Sequence, residues 1–426
     1  MTDPASLLPL EKTLHPADQA DVADIVREAA AVRTPIYPVG GGLGLRYGTP
    51  PTRPGVGLCL AGLKRVVDHP ARDLTITVEP GITLAELARH LAAERQRLPV
   101  DVPWPDRATI GGALATNASG PRRCAYGTLR DYLLGFCAVD GRGTAFAGGG
   151  RVVKNAAGYD MCKLLVGSLG TLAVATQVTL MVRPIPDASA LLACEVANFD
   201  AAERLLGGVS GQGILPAAVE LLAGPAWRND STLGAATPTT AARLVVGFEG
   251  PQPEVDWMLA RLTEQWQGLS ARNVAPLVGQ QAAGLWQRLT DFAMPAGNGA
   301  TDLTAKITAP PGAVAALCRT LLQNTAQLSL AAHAANGVIR LCVPEAGAQD
   351  VGRLVDGKLR PAVTAAGGNM VVTSAPDGVQ LSSRDVWGPP PEGAALMQKI
   401  KQQFDPAGIL NPGRFIFPAG PIESQA

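Results

Sequence analysis

The sequence predicts an α+β fold in two lobes, and three observations carry that prediction. Glycine-rich loops recur in the N-terminal part, at Gly40–Gly44, Thr109–Gly120 and Gly149–Leu172, each beside a segment with strand or helix periodicity. After Arg183-Pro-Ile-Pro the texture changes to a repeated alternation of strand and helix. The tail from Gly393 then reads as one helix followed by a turn-rich segment. At 426 residues the chain is long enough for two or three lobes, each with its own core.

Composition removes several classes of function. A hydrophobic content of 47% with 17% charged residues is that of a globular chain. Net charge is zero and no Lys/Arg block interleaves with aromatics, which argues against a nucleic-acid partner. The seven cysteines are scattered without a C-x-x-C pair, so zinc, iron–sulfur and disulfide frameworks are not expected, and no metal is assigned. Reduced thiols point to a cytoplasmic protein. Met1-Thr-Asp-Pro opens without a basic n-region. The uncharged run between Lys163 and Arg183 approaches a membrane-spanning length. Its glycines and the strand-like Ala173–Val182 exclude a transmembrane reading.

The first elements are a helix over Asp21–Ala29, with apolar residues at i, i+3, i+4 and i+7, and a short strand over Thr34–Val39. A strand over Asp73–Val78 precedes the turn Glu79-Pro80-Gly81, and Thr83-x-x-Glu86 forms a capping box at the start of the next helix. Leu133–Val139 and Gly143–Ala147 read as a hairpin, because Asp140-Gly141 suits a type I′ turn. Strands are then expected at 191–196, 218–222, 243–248, 301–308, 328–333, 338–343 and 370–373. Helices are expected at 200–206, 253–267, 312–322 and near 349–365. This order fits an antiparallel sheet with helices on one face, in two ferredoxin-like halves. Segments 223–242 and 270–300 read as irregular. The closing helix spans Gly393–Phe404.

Three loops carry the candidate chemistry. Pro38-Val-Gly40-Gly41-Gly42-Leu43-Gly44 follows a strand and can present backbone N–H groups to a pyrophosphate; an ordinary glycine-rich turn fits it equally well. It has neither the G-x-G-x-x-G register nor a Walker Gly-Lys-Ser/Thr. Thr109-Ile-Gly111-Gly112 opens a short helix whose N-terminus offers further N–H groups, with Thr116, Asn117, Ser119 and Gly120 as neutral partners. The third loop interleaves Lys154, Asn155, Gly158, Tyr159 and Asp160, and continues to Gly170 and Leu172. A large cofactor lying across the N-terminal half, read as FAD, unites the three.

The order P-x-G-G-G, E-P-G, T-I-G-G-x-x-x-T-N-A-S-G and Y-G resembles flavoproteins of the p-cresol methylhydroxylase and vanillyl-alcohol oxidase type. Within them, the stretch Gly149–Asp160 and the closing Phe404–Arg414 are similar to the FAD-binding E subunits of bacterial glycolate oxidases. The resemblance implies an FAD-binding PCMH-type domain over 1–185, a ferredoxin-like cap over 186–391, and a helix and tail over 392–426 that return to the FAD domain. It implies that Gly40–Gly44 wrap the pyrophosphate, and that Gly111, Gly112, Thr116, Asn117, Ser119 and Gly120 line the ribityl chain and phosphates. Gly170, Leu172 and Val174 would press against the adenine or flavin edge, and Asn411 would return toward the isoalloxazine. Pro38, Leu43, Pro80, Gly81, Tyr126, Gly127 and the Lys154–Asp160 group complete the set. Histidine and cysteine are absent from the first loop, so non-covalent FAD is expected.

The implied activity is oxidation of glycolate, a 2-hydroxy acid, to glyoxylate. It would take place in a complex with a catalytic flavoprotein subunit and an iron–sulfur subunit, cytoplasmic or peripheral at the inner membrane through those partners. Related dehydrogenases carry His-x-Gly-Asp-Gly-Asn-x-His on a late strand. Here Ala332-His333-Ala-Ala-Asn-Gly-Val-Ile-Arg340 keeps one histidine and puts an arginine where the second would stand. His333 and Arg340 are therefore the candidate base and carboxylate anchor, a packed core histidine being the other reading of His333. A self-sufficient hydroxy-acid dehydrogenase and a non-catalytic assembly subunit remain as alternatives.

Overall fold

The computed structural model describes residues 7–150, 159–209, 213–269, 271–292, 294, 301–347, 350–379 and 381–414. It divides into two units. The first comprises Met1–Ala118, Thr128–Pro184 and Gln380–Ala426; the second comprises Ser119–Gly127 and Ile185–Val379.

The first unit opens with β1 (Leu10–Leu14), α1 (Gln19–Ala31), β2 (Ile36–Val39) and β3 (Gly55–Cys59), a parallel three-stranded sheet in the order β1-β3-β2. Asp18 caps α1, and its apolar side (Val22, Val26) packs with Ile36 and Leu58. Then come β4 (Val66–Asp68), β5 (Thr75–Val78), α2 (Leu84–Ala92), β6 (Gln96–Arg97) and α3 (Ile110–Thr116). The capping box of Thr83 and Glu86 forms at α2 as the sequence predicts. After α4 (Arg123–Tyr126), which counts with the second unit, follow α5 (Leu129–Tyr132), β7 (Leu133–Asp140), β8 (Ala145–Gly149), α6 (Met161–Leu165), β9 (Ala173–Met181) and β10 (Arg183–Pro184). A five-stranded antiparallel sheet, β4-β5-β9-β7-β8, buries Ile76, Phe136, Val178 and Leu180 against Leu87, Leu91 and Ile110. β9 alternates buried and half-buried residues along its length, as a strand with one core face should.

The β7–β8 hairpin turns differently from expectation. Asp140 Oδ1 accepts from the N–H groups of Arg142 and Thr144, and the left-handed residue is Gly143 (φ +76°), not Gly141. Asp140 therefore organises a longer loop than a two-residue I′ turn. Gly141 is required for another reason: a Cβ there would lie 2.7 Å from the backbone of Asp405.

The second unit holds β11 (Ala188–Val196), α7 (Phe199–Val209), β12 (Ala218–Ala223), β13 (Asn229–Asp230), β14 (Gly234–Ala235), β15 (Ala242–Gly250), α8 (Gln252–Gly268), β16 (Arg272–Val278) and α9 (Gly279–Asp291). It continues with β17 (Leu303–Thr308), α10 (Val314–Asn324), β18 (Ser329–His333), β19 (Val338–Val343), α11 (Val351–Leu354), α12 (Arg360–Ala365) and β20 (Asn369–Ser374). Eight strands form one antiparallel sheet, β16-β11-β15-β12-β18-β19-β17-β20. Each half has its third strand in chain order beside its first and second, and its fourth at the edge. This is the ferredoxin-like arrangement, and the halves join through β12 and β18.

Two expectations need correction here. Segment 270–300 is not irregular up to residue 291: it contributes edge strand β16 and helix α9. β16 is exposed at five of its seven positions and so lacks alternation, while Ala282, Leu285, Trp286 and Leu289 of α9 do have helical spacing. Nor are helices confined to one face. α9 covers the face bearing Leu191, Val245 and Gly247, where Trp286 leaves room only for glycine at 247. The chain closes in the first unit with α13 (Ser383–Trp387) and α14 (Ala394–Phe404). Among the described residues no helix is long and apolar enough to cross a membrane.

Candidate functional site

The first unit contains an open groove with about 100 Å3 of interior space. Its walls bring together Pro38, Gly40, Pro80, Gly111, Gly112, Gly170 and Val174 from all three predicted loops, with Leu114, Phe136 and Ser168. β2 delivers the first loop to its rim. Gly42 adopts φ +78°, which a side chain would strain. Gly41 has no room for a Cβ beneath the Arg107 carbonyl, and Gly44 would meet Thr116 Cγ2 at 3.0 Å. No backbone N–H of Gly40–Gly44 finds an acceptor among the described residues. Five successive half-buried or exposed donors beside a groove suit a pyrophosphate.

The second loop behaves otherwise. The N–H groups of Ile110 and Gly111 donate to Ile82 O (3.0 Å) and Pro80 O (2.8 Å), and that of Gly112 to Thr109 Oγ1 (3.3 Å). The α3 N-terminus is thus consumed by the protein itself and offers no free donors, which corrects the expectation of an anion site there. Gly81 and Gly111 exist for packing, since a Cβ would lie 2.7 Å from Leu63 O and from Pro80 Cβ respectively. At Gly112 the nearest atom is Thr109 Oγ1 at 3.2 Å, so protein packing alone scarcely demands glycine. Thr116 Oγ1 donates to Gly112 O (2.9 Å). Asn117 ends α3 in the left-handed conformation, and its Oδ1 is buried without a partner among the described residues.

The tail ties the loops together. Asn411 Nδ2 donates to Leu169 O (2.6 Å), and the guanidinium of Arg414 donates to Tyr47 O (2.7 Å) and Leu45 O. Lys401 Nζ donates to Thr171 O (2.6 Å) and Leu410 O (3.0 Å). Burial pushes Arg414 down to about 10, against the pull of Tyr37, so it stays charged at neutral pH. Leu172 is buried.

The remaining candidates scatter. Lys154, Asn155 and Gly158 lie outside the described residues. Tyr159 is 93% exposed, and Asp160 caps α6 and pairs with Lys163 at 3.0 Å. Ser119, Gly120, Tyr126 and Gly127 belong to the second unit. Tyr126 packs there against the Trp286 cluster, and Gly127 (φ +77°) ends α4.

The second unit presents a charged sheet face. Glu220 and His333 are register partners across β12 and β18, and His333 Nδ1 lies 2.8 and 2.9 Å from the two Glu220 oxygens. The carboxylate accepts the Nδ1 hydrogen, which aims Nε2 away from it; Nε2 is buried with no partner among the described residues. Lys306 and Arg340 are register partners across β17 and β19, and Ala331 lies next to Arg340 on β18, which places both cations on the His333 face. Arg340 donates to Ser119 O (3.2 Å). Burial first, then the charges of Arg340 and Arg123, push the Lys306 ammonium down to about 8. Arg122 is held by Glu249 (2.8 Å) and stacks over Trp286.

Glu220 and Lys306 were not singled out from the sequence, whereas Arg122 and Arg123 were candidate cations beside the second loop. The signal was a charge inside an otherwise strand-like apolar run, at Ala218–Leu222 and Thr301–Thr308. No group of three or more metal-ligating side chains occurs among the described residues.

Comparison with known proteins follows the same division. Residues 11–148 match the family model for an FAD binding domain, and residues 185–349 and 389–415 that for the C-terminal domain of FAD linked oxidases. The chain is 25% identical to glycolate oxidase subunit GlcD of Bacillus subtilis, covering 95% of this chain and 88% of that protein. It is 27% identical to the mitochondrial cytochrome D-lactate dehydrogenase of Arabidopsis thaliana, covering 95% and 73%. Similarity to glycolate oxidase subunit GlcE of Escherichia coli is higher, 34%, but covers 42% of this chain and 51% of that one. Among solved structures, an alkyldihydroxyacetonephosphate synthase shares the fold with a TM-score of 0.70 at 18% identity, over 94% of this chain and 75% of that one.

Proposed function

Because the chain belongs to the FAD-linked oxidases and its cofactor is FAD, we propose that it is a non-covalent flavoenzyme that oxidises a small 2-hydroxy acid to the 2-oxo acid. The observation that carries this is the groove of the first unit, which Gly40 lines at the start of the unpaired N–H run Gly40–Gly44 and whose wall residue Leu169 is tied by Asn411. In that groove the first loop would hold the pyrophosphate, and Asn117 Oδ1 would accept from a ribityl hydroxyl beside Gly112. Bound FAD supplies the hydride acceptor. On the second unit, Arg340 and Lys306 would bind the substrate carboxylate by charge-assisted hydrogen bonds. His333 Nε2, its ring oriented by Glu220, would accept the hydroxyl proton.

Glycolate to glyoxylate is the reaction the resemblance implies. Relatives are named for glycolate, D-lactate and D-2-hydroxyglutarate. We place the chain in a complex with a catalytic flavoprotein and an iron–sulfur subunit, because glycolate oxidase subunits are among its relatives and its own cysteines form no cluster motif. The E-subunit role would then put it in the cytoplasm, or peripherally at the inner membrane through its partners. A self-sufficient dehydrogenase is the second reading, favoured by near full-length similarity to D-lactate dehydrogenases and by the charged face. The visible spectrum of the purified chain, before and after glycolate or D-lactate, tests both. A yellow protein bleached by substrate alone supports self-sufficiency, and one bleached only with partner subunits supports the complex. A colourless protein that takes up no FAD refutes the oxidoreductase reading and leaves an assembly role.

A further inference from the structure

We propose that His69 and His90, at the end of α2 in the first unit, form a binding site for a divalent late transition-metal cation such as zinc, nickel or copper. The two imidazoles supply the protein ligands, Gln96 fixes the orientation of one of them, and water completes the coordination. None of these three side chains lines the groove assigned to FAD.

Three segments of the chain bring the side chains together. His69 follows β4, His90 lies in the last turn of α2, and Gln96 opens β6. Gln96 is buried, and its Nε2 donates to Ala71 O (2.6 Å), which settles the orientation of the amide and leaves Oε1 as the acceptor. Oε1 stands 3.0 Å from His69 Nε2, so that nitrogen carries the hydrogen and Nδ1 keeps its lone pair. The lone pair faces His90 Nε2 at 3.1 Å. A ring whose far nitrogen donates to a fixed oxygen is held in the tautomer and direction that a metal ligand needs.

The spacing suits a shared cation. Two nitrogens bound at ~2.0–2.1 Å lie about 2.9 Å apart when they subtend a right angle at the metal, and about 3.4 Å apart at the tetrahedral angle. The observed 3.1 Å falls between these values. Rings meeting end to end through a linear N–H···N bond of this length would have centroids about 5.4 Å apart. Rings converging on one tetrahedral metal would have them about 5.1 Å apart. The observed separation is 5.0 Å, with the planes inclined at 50°, so the rings lean toward a point beside the line joining their nitrogens. A metal entering there displaces the hydrogen between the rings, and His90 carries it on Nδ1 instead, so both ligands stay neutral. His90 is exposed and His69 half-buried, which leaves one side of the pair open to water. The C-terminal turn of α2 also favours positive charge. No third histidine, cysteine or carboxylate joins the pair among the described residues, so the site is an open, exchangeable one and not a closed structural centre.

The test is calorimetric titration of the untagged holoprotein with zinc, nickel and copper(II) chlorides, with magnesium chloride as control and flavin absorbance recorded for each preparation. The expected result is one equivalent of each transition metal, copper held most tightly, and no uptake of magnesium. The chain has four histidines, and His333 is buried against Glu220, which leaves His15 as an internal control. His90→Gln, at an exposed position, and His69→Gln should each weaken binding at least tenfold, with FAD content and the metal-free melting temperature kept. Gln96→Leu should weaken it by about tenfold through loss of the tautomer it fixes, and His15→Gln should leave it unchanged. Protein stripped of FAD should bind zinc as tightly as the holoprotein, so failure of the flavin reading would leave this site standing. Absence of zinc, nickel and copper uptake by the wild-type protein overturns the proposal. So does an affinity unchanged in both His69→Gln and His90→Gln, or one that depends on His15 or on bound FAD.

Discussion

Single residues separate packing from function. At Gly112 protein atoms leave nearly enough room for a methyl group, and alanine is favoured over glycine inside a helix by about 1 kcal/mol. Gly112→Ala should therefore leave the apoprotein as stable as before or slightly more so, while FAD affinity falls severalfold or more. Thermal melts of apoprotein beside flavin titration read the two effects, and unchanged FAD affinity would remove Gly112 from the cofactor wall. His333 shows the opposite case. On sequence grounds its loss should be harmless to folding, but the structure places it on a completely buried carboxylate. His333→Ala strands Glu220 and should cost roughly 3 kcal/mol, and adding Glu220→Gln should recover much of it. A single variant that melts like wild type would mean the dyad is not formed. Lys306 carries a pH dependence. Its pKa lies below the ordinary lysine value, so the folded state binds fewer protons than the unfolded one between about pH 8 and 10.5. Stability gains from this group as pH rises through that window, whereas anion affinity falls above about pH 8 as the ammonium is lost. Anion titrations at pH 7 and 9 check the sign.

At the scale of elements, a helix N-terminus that looked like a phosphate site proved already satisfied. The Thr109 cap and the carbonyls of Pro80 and Ile82 use the first N–H groups of α3, so of these two loops only the first keeps unpaired N–H groups for a phosphate. That loop is shaped from the far end of the chain, since Arg414 bonds two carbonyls just after it. Arg414→Ala leaves both carbonyls without their charged donor. The expected cost is about 3 kcal/mol, with FAD affinity reduced at least tenfold; Arg414→Lys should restore part of each. Normal flavin retention in the alanine variant would show that the loop holds its shape unaided. The Asp140 hairpin makes a related point. Asp-Gly announced a turn, but Asp140 bonding to Arg142 and Thr144 selected which glycine takes the left-handed position.

For the whole molecule, the two units have separate cores, one around Ile76, Leu91 and Val178, the other around Leu191, Val245 and Trp286. Ligands should thus stabilise them selectively, because a ligand raises the stability of the unit that binds it in proportion to the logarithm of its excess over Kd. Calorimetric scans should show FAD raising one of two transitions more than the other. A single transition shifted as a whole by FAD would contradict separate unfolding of the two cores.

The sequence by itself determined what the local chain could encode: strand and helix order, the two ferredoxin-like halves, the cap of α2, and glycine loops spaced for FAD. Those signals are periodicity and backbone freedom, which a short window contains. Only the tertiary structure decided which glycines serve packing and which face the groove, because that depends on what stands opposite each missing Cβ. Only it could pair Glu220 with His333 and set Lys306 beside Arg340, since strand register joins residues more than thirty to a hundred positions apart. The charged face was thus invisible as a site while its members were plain in the sequence: their meaning is mutual distance in a half-buried setting, where charges interact strongly.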